Sequence, residues 1–258
     1  MGNSAHAVLD PKGGRTVPPD LCALGIMTKA PRAGQVKTRL TPPLTPDEAA
    51  ALNICFLRDT TAAITGAVQG DRARGIGVYT PVGEEHVFAE ILPLHFQLVA
   101  QRGEAFGARL AHAFEDLFAL GFASVCLINS DSPSVPATAY RQAVNLLAQP
   151  GDRVVLGPSD DGGYYLIGLK QLHQRLFQDI AWSTERVYQQ TVARAEEIGL
   201  TVEKLPTYFD IDDRAGLRRL CGDLLDSKKP GSGAIATREF LTAIIAREGR
   251  ARIWPENL

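Results

Sequence analysis

Lys29-Ala-Pro-Arg-Ala-Gly-Gln-Val-Lys-Thr-Arg-Leu-Thr-Pro-Pro-Leu-Thr45 follows directly on a short apolar stretch, Leu21 to Met27. The apolar stretch has the length of a buried strand, and the quoted run is the loop that leaves it. That loop carries three cations (Lys29, Lys37 and Arg39), with Arg32 nearby, and a flexible Gly34. Open α/β sheets bind ligands beyond the carboxyl ends of their strands. Backbone N–H groups freed by glycine, together with Lys and Arg, are what a polyphosphate needs around it. A nucleotide is therefore the first ligand to expect.

Working outward, Thr45 is a good N-cap, Pro46 suits the first helical position, and Glu48 completes a capping box. Ala49, Leu52, Phe56 and Ile64 then keep helical spacing to about Gly66. Beyond it, strand and helix patterns alternate. Strands are expected near 75–80, 95–100, 124–129, 154–157, 164–169 and 202–205, the 164–169 strand antiparallel to its neighbours. Helices are expected near 84–92, 106–120, 137–147, 184–198, 214–225 and 237–247. Alternation of this kind predicts an α/β fold with a mostly parallel sheet. Residues 1–20 read as a flexible tail, 21–226 as one nucleotide-binding domain, and 227–258 as a flexible link (SKKPGSG) with a terminal helix packed on that domain.

The 258 residues suffice for a sizeable core, and 45% hydrophobic with 22% charged residues is ordinary globular composition. A net charge of −2 argues against a general nucleic-acid binder, so any cationic site must be local. Cys22, Cys55, Cys126 and Cys221 form no CxxC pair and read as buried reduced thiols, which suits a cytoplasmic location. No apolar run is long enough to span a membrane.

Three further runs can carry chemistry. In Asn129-Ser-Asp-Ser-Pro-Ser-Val-Pro136, Asp131 ends a strand at the same sheet edge as the cationic loop. A carboxylate beside phosphates can hold Mg²⁺; it can equally cap helix 137–147, and position alone leaves both readings open. In Asp160-Asp-Gly-Gly-Tyr-Tyr-Leu-Ile-Gly168, Asp-Gly-Gly is hairpin chemistry, while glycines also admit a ligand close to the backbone. Tyr164 and Tyr165 face opposite sides of their strand, so at most one lines a pocket. In Tyr208-Phe-Asp-Ile-Asp-Asp213, Asp210 and Asp212 share a side if extended and can offer a second metal ligand, whereas Asp212 or Asp213 can cap the next helix. Arg102 or Arg109 could reach over the nucleotide or acceptor, or lie on a solvated face. Trp182 could wall the acceptor pocket or only pack, Ser183 is a plausible N-cap, and Glu185 is favoured there by the helix dipole.

Taken in order, KAPRAGQVKTRLTPPLT, NSDSPSVP, SDDGGYYLIGL, IAWSTERV and YFDIDD resemble a bacterial GT-A-fold family classed as glycosyltransferases linked to arsenosugar biosynthesis. The likeness covers about residues 22–225. The piece Lys37–Thr45 is also similar, more distantly, to the phosphate-holding loop of sugar-phosphate nucleotidyltransferases and of 2-phospholactate guanylyltransferases. In such enzymes a strand-end Asp, here Asp131, binds Mg²⁺ (or Mn²⁺) with a later Asp, here Asp210 or Asp212. The chain departs from both patterns. Its loop has fewer glycines than the nucleotidyltransferases, and 129–132 reads N-S-D-S where many glycosyltransferases have D-x-D.

The resemblance and the residues together imply a GT-A-like, nucleotide-diphospho-sugar-transferase-type α/β/α sandwich. The leading expectation is Mg²⁺-dependent nucleotidyl transfer from an NTP to a small phospho- or hydroxyl acceptor. The alternatives are a glycosyltransferase using an NDP-sugar and a catalytically silent nucleotide-binding protein. Lys29, Ala30, Pro31, Gly34, Lys37, Arg39 and Ser130 would bind the nucleotide. Arg109, Gly162, Gly163, Tyr164 and Trp182 would face the acceptor, with Asp160 or Asp161 orienting an acceptor hydroxyl in the glycosyltransferase reading. Asp131 with Asp210 or Asp212 would hold the metal. Lys37, Arg39, Asp131 and Asp161 would carry the chemistry.

Overall fold

Cys22–Lys29 (β1) sends alternate side chains into two apolar layers: Cys22, Leu24 and Ile26 to one, Ala23 and partly buried Met27 to the other. A strand apolar on both faces belongs in the middle of a sheet covered on both sides. In the computed structural model, which describes residues 6–68, 72–226 and 233–253, β1 is the third strand of seven. Ala73–Thr80 (β2), Gln97–Ala100 (β3), Ser124–Ile128 (β4), Arg153–Pro158 (β5), Tyr164–Leu169 (β6) and Thr201–Lys204 (β7) complete the order β3-β2-β1-β4-β6-β5-β7. As expected, β6 runs antiparallel to β4 and β5 while the other pairings are parallel.

One layer packs Pro46–Ala67 (α1) and Ala137–Leu147 (α3) on the sheet through Leu57, Ile64, Tyr140 and Leu147. The other packs Phe106–Ala119 (α2) and Val187–Glu197 (α4) through Leu110, Phe114, Leu117 and Ala195. A third cluster joins Leu52 and Phe56 of α1 to Arg214–Cys221 (α5) and Ile235–Glu248 (α6) through Leu217, Leu220, Leu241 and Ile244. The result is the expected α/β/α sandwich of GT-A type. All four cysteines are buried and none is in a disulfide.

The capping box at Thr45 forms: the Glu48 N–H donates to Thr45 Oγ1 (3.2 Å) and the Thr45 N–H to Glu48 Oε2 (2.8 Å). Other elements differ from expectation. Residues 84–92 form a 3₁₀ turn over Glu85–Glu90, and α4 starts at Val187 with Arg186 as its N-cap, so Ser183 (φ 63°) lies outside it and caps nothing. Helix α5 ends at Cys221 and passes into a π-type turn, Gly222–Asp226.

Residues 6–17 are not a loose tail. The His6 ring lies within hydrogen-bond distance of the Phe96 and Phe88 carbonyls (3.0 and 3.2 Å). The Leu9 N–H donates to Leu98 O and the Leu98 N–H to Ala7 O. Edge strand β3 would otherwise leave those groups unpaired, and the amino-terminal segment pairs them. Residues 1–5 of the expected tail and 227–232 of the expected link lie outside the described residues.

Candidate active site

The chain leaves β1 toward β2 on one side of the sheet, while β4 lies on its other side. Loops after β1 and β4 therefore diverge, opening a crevice at the carboxyl ends of the two strands, the place where doubly wound sheets bind ligands. A cavity of about 630 Å³ fills it, lined by Lys29, Lys37 and Arg39 after β1 and by Asn129, Ser130 and Asp131 after β4. Asp161, Gly163, Tyr164, Trp182 and Asp212 close the far side. Most residues expected on these loops thus meet in one place, with five exceptions among the nucleotide and acceptor sets, Arg109 among them. Ala30 is core, 1% exposed, while Pro31, Gly34 and Gly162 shape their loops without lining the cavity. Arg32 is drawn away to Glu84.

Lys37 does not stand free to meet phosphate. Its backbone is left-handed (φ 49°, ψ 36°), which turns the side chain inward, where it is 5% exposed. The ammonium lies 2.6 Å from Asp131 Oδ1 and 3.0 Å from Asp212 Oδ1, and donates to Ile211 O at 2.8 Å. It also sits 5.5 Å from the centre of the Phe56 ring. Burial by itself lowers the Lys37 pKa, but Asp131 and Asp212 outweigh it and hold the ammonium above its ordinary value. Arg39, exposed on the same loop, and Lys29 are the cations that face open cavity.

The Asp131–Asp212 pairing is built by backbone. Tyr208 bridges Ser159, the Asp160 N–H donates to Tyr208 O (3.0 Å), and the Ile211 N–H donates to Asp131 O (2.9 Å). Segment 208–213 is so held against the loop after β4. Asp213 caps α5 by accepting from the Gly216 N–H at 2.8 Å, which leaves Asp212 for the cavity. Asp131 is not a helix cap: α3 begins after Pro136 with no side-chain cap. Asp210 stays off the cavity lining. Burial first, then Asp161, Asp212 and Asp131, pushes its carboxyl up to about 7.

Two carboxylates and a carbonyl around one cation form the hard-oxygen set that Mg²⁺ or Mn²⁺ takes. Among the described residues no three His, Cys, Asp or Glu side chains are spaced to enclose a metal. Asp131 and Asp212 would supply the one or two carboxylates that such an ion takes when water and phosphate oxygens complete its shell.

Across the cavity, Asp161 folds its own turn by accepting from the Gly163 N–H (2.9 Å). Gly162 has φ 91°, and a Cβ there would come 2.1 Å from Glu185 O, so only glycine lets segment 182–185 approach. Trp182 packs edge-on against half-exposed Phe106 at 5.3 Å between ring centres, making an aromatic wall. Tyr164 lines the cavity while Tyr165 packs inside and donates to Pro206 O. Arg109 lies over the outside of Phe106, 5.7 Å from its ring centre, rather than in the cavity. Arg102 is tied to Asp116 and Glu115, and Asp160 to Arg219.

Asn53 and Phe106 escaped the sequence reading. Asn53 sits on α1 among apolar positions, 4% exposed, yet it lines the cavity. A polar residue inside an apolar stripe was the available signal, since burying a polar group is costly unless something satisfies it.

A profile for a family described as an uncharacterized protein conserved in bacteria (DUF2064) matches residues 64–184. Comparison with curated protein sequences returns no match. Among solved structures, one from Desulfovibrio desulfuricans G20, whose name provisionally makes it a nucleotide-diphospho-sugar transferase, superposes with a TM-score of 0.76. It is 31% identical, and the match covers 89% of this chain and 98% of that one. A CMP:2-keto-3-deoxy-manno-octonic acid synthetase, solved with CTP, is 10% identical over 78% of this chain and 96% of its own, with a TM-score of 0.50, and shares the fold. Among the described residues no helix is long and apolar enough to cross a membrane. By its identity to the D. desulfuricans protein over nearly all of that protein's length, the chain belongs to the same family and is an enzyme of the nucleotide-using transferase class.

Proposed function

We propose that the protein transfers a nucleotidyl group from an NTP to a small phospho- or hydroxyl acceptor, releasing pyrophosphate. The observation that carries this reading is the meeting of Asp131 and Asp212, from loops far apart in the chain, at one cation beside Lys29 and Arg39. Arg39 and Lys29 would hold the β- and γ-phosphates. Their charge would stabilise the negative charge that grows on pyrophosphate as it leaves. Asn53, on the same cavity lining, would turn its amide to the bound ligand.

An acceptor oxygen lying on the Trp182–Phe106 side would attack the α-phosphorus in line with the departing oxygen. The new P–O bond forms as the α–β bridge breaks, and pyrophosphate takes the electron pair. A phosphate acceptor has no proton to lose, and a hydroxyl acceptor would lose its proton toward Asp161. Asp131 and Asp212 would hold Mg²⁺ or Mn²⁺, which when bound supplies Lewis-acid charge to phosphate oxygens. The catalysis is positioning and charge stabilisation, so no nucleophilic side chain is required.

The name of the 31% identical relative favours a second reading, glycosyl transfer from an NDP-sugar. A panel of NTPs and NDP-sugars with Mg²⁺ and candidate acceptors separates the two. Pyrophosphate release with one NTP supports nucleotidyl transfer. NDP release from a nucleotide sugar, without pyrophosphate from any NTP, overturns it in favour of glycosyl transfer.

A further inference from the structure

We propose that Lys37 is a resident cation whose ammonium occupies the divalent-metal position between Asp131 and Asp212, and that metal entry drives it out toward the phosphates. The inference rests on the proposed function only in taking those two carboxylates as the metal ligands. Its geometry is complete without a ligand. The ammonium donates to Asp212 Oδ1 (3.0 Å) and to the Ile211 carbonyl (2.8 Å) and pairs with Asp131 Oδ1 at 2.6 Å, and the side chain is 5% exposed. An ammonium so held is neutralised by two carboxylates and spends at least two of its three donors away from any phosphate.

The oxygens around Lys37 are those a hard divalent ion would use. Ammonium and metal therefore compete for one place. Once displaced, the lysine remains on a cavity-lining loop whose Lys29 and Arg39 face open space, and its four-carbon stem lets the charge swing into the phosphate region. Metal and phosphate binding become coupled: the metal releases a cation that the phosphate then uses. Coupling of this kind is reciprocal, so phosphate must also favour metal entry. The same residue then serves the ligand-free fold as counter-ion to two crowded carboxylates.

Two measurements test this without relying on turnover. In the first, Mn²⁺ binding to nucleotide-free protein is followed by the electron paramagnetic resonance signal of free Mn²⁺. Lys37→Met should bind Mn²⁺ more tightly than the wild type, by about tenfold or more, because its competitor is gone. Lys29→Met removes an equal charge from the same loop and should change Mn²⁺ affinity much less. Equal or weaker Mn²⁺ binding by Lys37→Met, or an equal gain in Lys29→Met, overturns the proposal.

The second uses wild-type protein, in case Lys37→Met does not fold. Lysine acylation is mapped by mass spectrometry with and without Mg²⁺. Lys37 should be protected alone and become reactive with Mg²⁺, while Lys29 reacts in both; protection of Lys37 that Mg²⁺ leaves unchanged overturns the proposal. Tighter Mn²⁺ binding by Lys37→Met in a protein that turns over no nucleotide would leave this inference standing and remove the proposed function.

Discussion

Asp131 shows how one side chain can be separated from its structural alternative. It touches Lys37 and caps no helix. Asp131→Asn should lower turnover by about 10²–10³-fold, the usual scale for losing an aligned charge in an active site. Thermal unfolding should shift by no more than about 1 kcal/mol, because Lys37 keeps Asp212 and Ile211 while repulsion among Asp131, Asp161, Asp210 and Asp212 is relieved. A large stability loss with turnover intact would assign Asp131 a structural role. On the opposite wall, Trp182→Ala removes the contact to Phe106. It should raise the acceptor KM by about tenfold, the worth of a stacked aromatic, while leaving nucleotide affinity unchanged in a fluorescence titration. Gly162→Ala forces a Cβ against Glu185 O at positive φ. It should cost about 1–3 kcal/mol in denaturant unfolding and displace the segment that carries Trp182.

At the level of elements, α6 depends on α1 for its start. Its N-terminal residues carry no side-chain cap of their own. Asp59 of α1, 3% exposed, accepts instead from the Ala236 and Thr237 N–H groups, both at 2.9 Å. Burial raises the Asp59 pKa, and hydrogen bonds from Thr237 and Ala236 offset that rise only in part. Asp59→Ala would leave two buried donors unpaired, at a cost of about 1–3 kcal/mol. Hydrogen exchange should quicken first in α6, with β1 and β4 unchanged. Uniform loss of protection across the sheet would instead make Asp59 part of the main core.

Over the whole molecule, Glu48 links the first helix to the carboxyl-terminal segment. Beyond its capping box it pairs with Arg252 at 2.6 Å and Arg247 at 3.2 Å. Burial raises its pKa, but the Thr45 N–H and Arg252 outweigh it and hold the carboxyl below its ordinary value. A carboxyl group depressed in this way stabilises the fold above its unfolded pKa, and the contribution is lost as pH falls through the folded value. Glu48→Gln keeps the capping box but removes the charge. It should lower stability by about 0.5–1 kcal/mol near neutral pH and flatten the acid side of the Tm–pH curve. An acid limb as steep as the wild type's would show that Glu48 contributes nothing to it.

Much of this molecule is local. Apolar runs of strand length, the Thr45–Glu48 box and the helical stripe of α2 are written in neighbouring residues, because strand and helix periods and caps act over one or two turns. The sequence by itself therefore determined the alternation of elements, the antiparallel β6, the crevice at the end of β1 and most of the residues that line it. Tertiary structure decided where the charges go. Asp212 rather than Asp210 reaches the site, Arg109 leans on Phe106 outside it, and residues 6–17 pair with the sheet edge. It also turned Lys37 inward onto two carboxylates, which no spacing could reveal. The physical reason is range. A salt bridge forms between groups that the fold brings within a few ångströms, and the Lys37 partners lie on two distant loops whose meeting depends on strand order and on the backbone bond between Ile211 and Asp131.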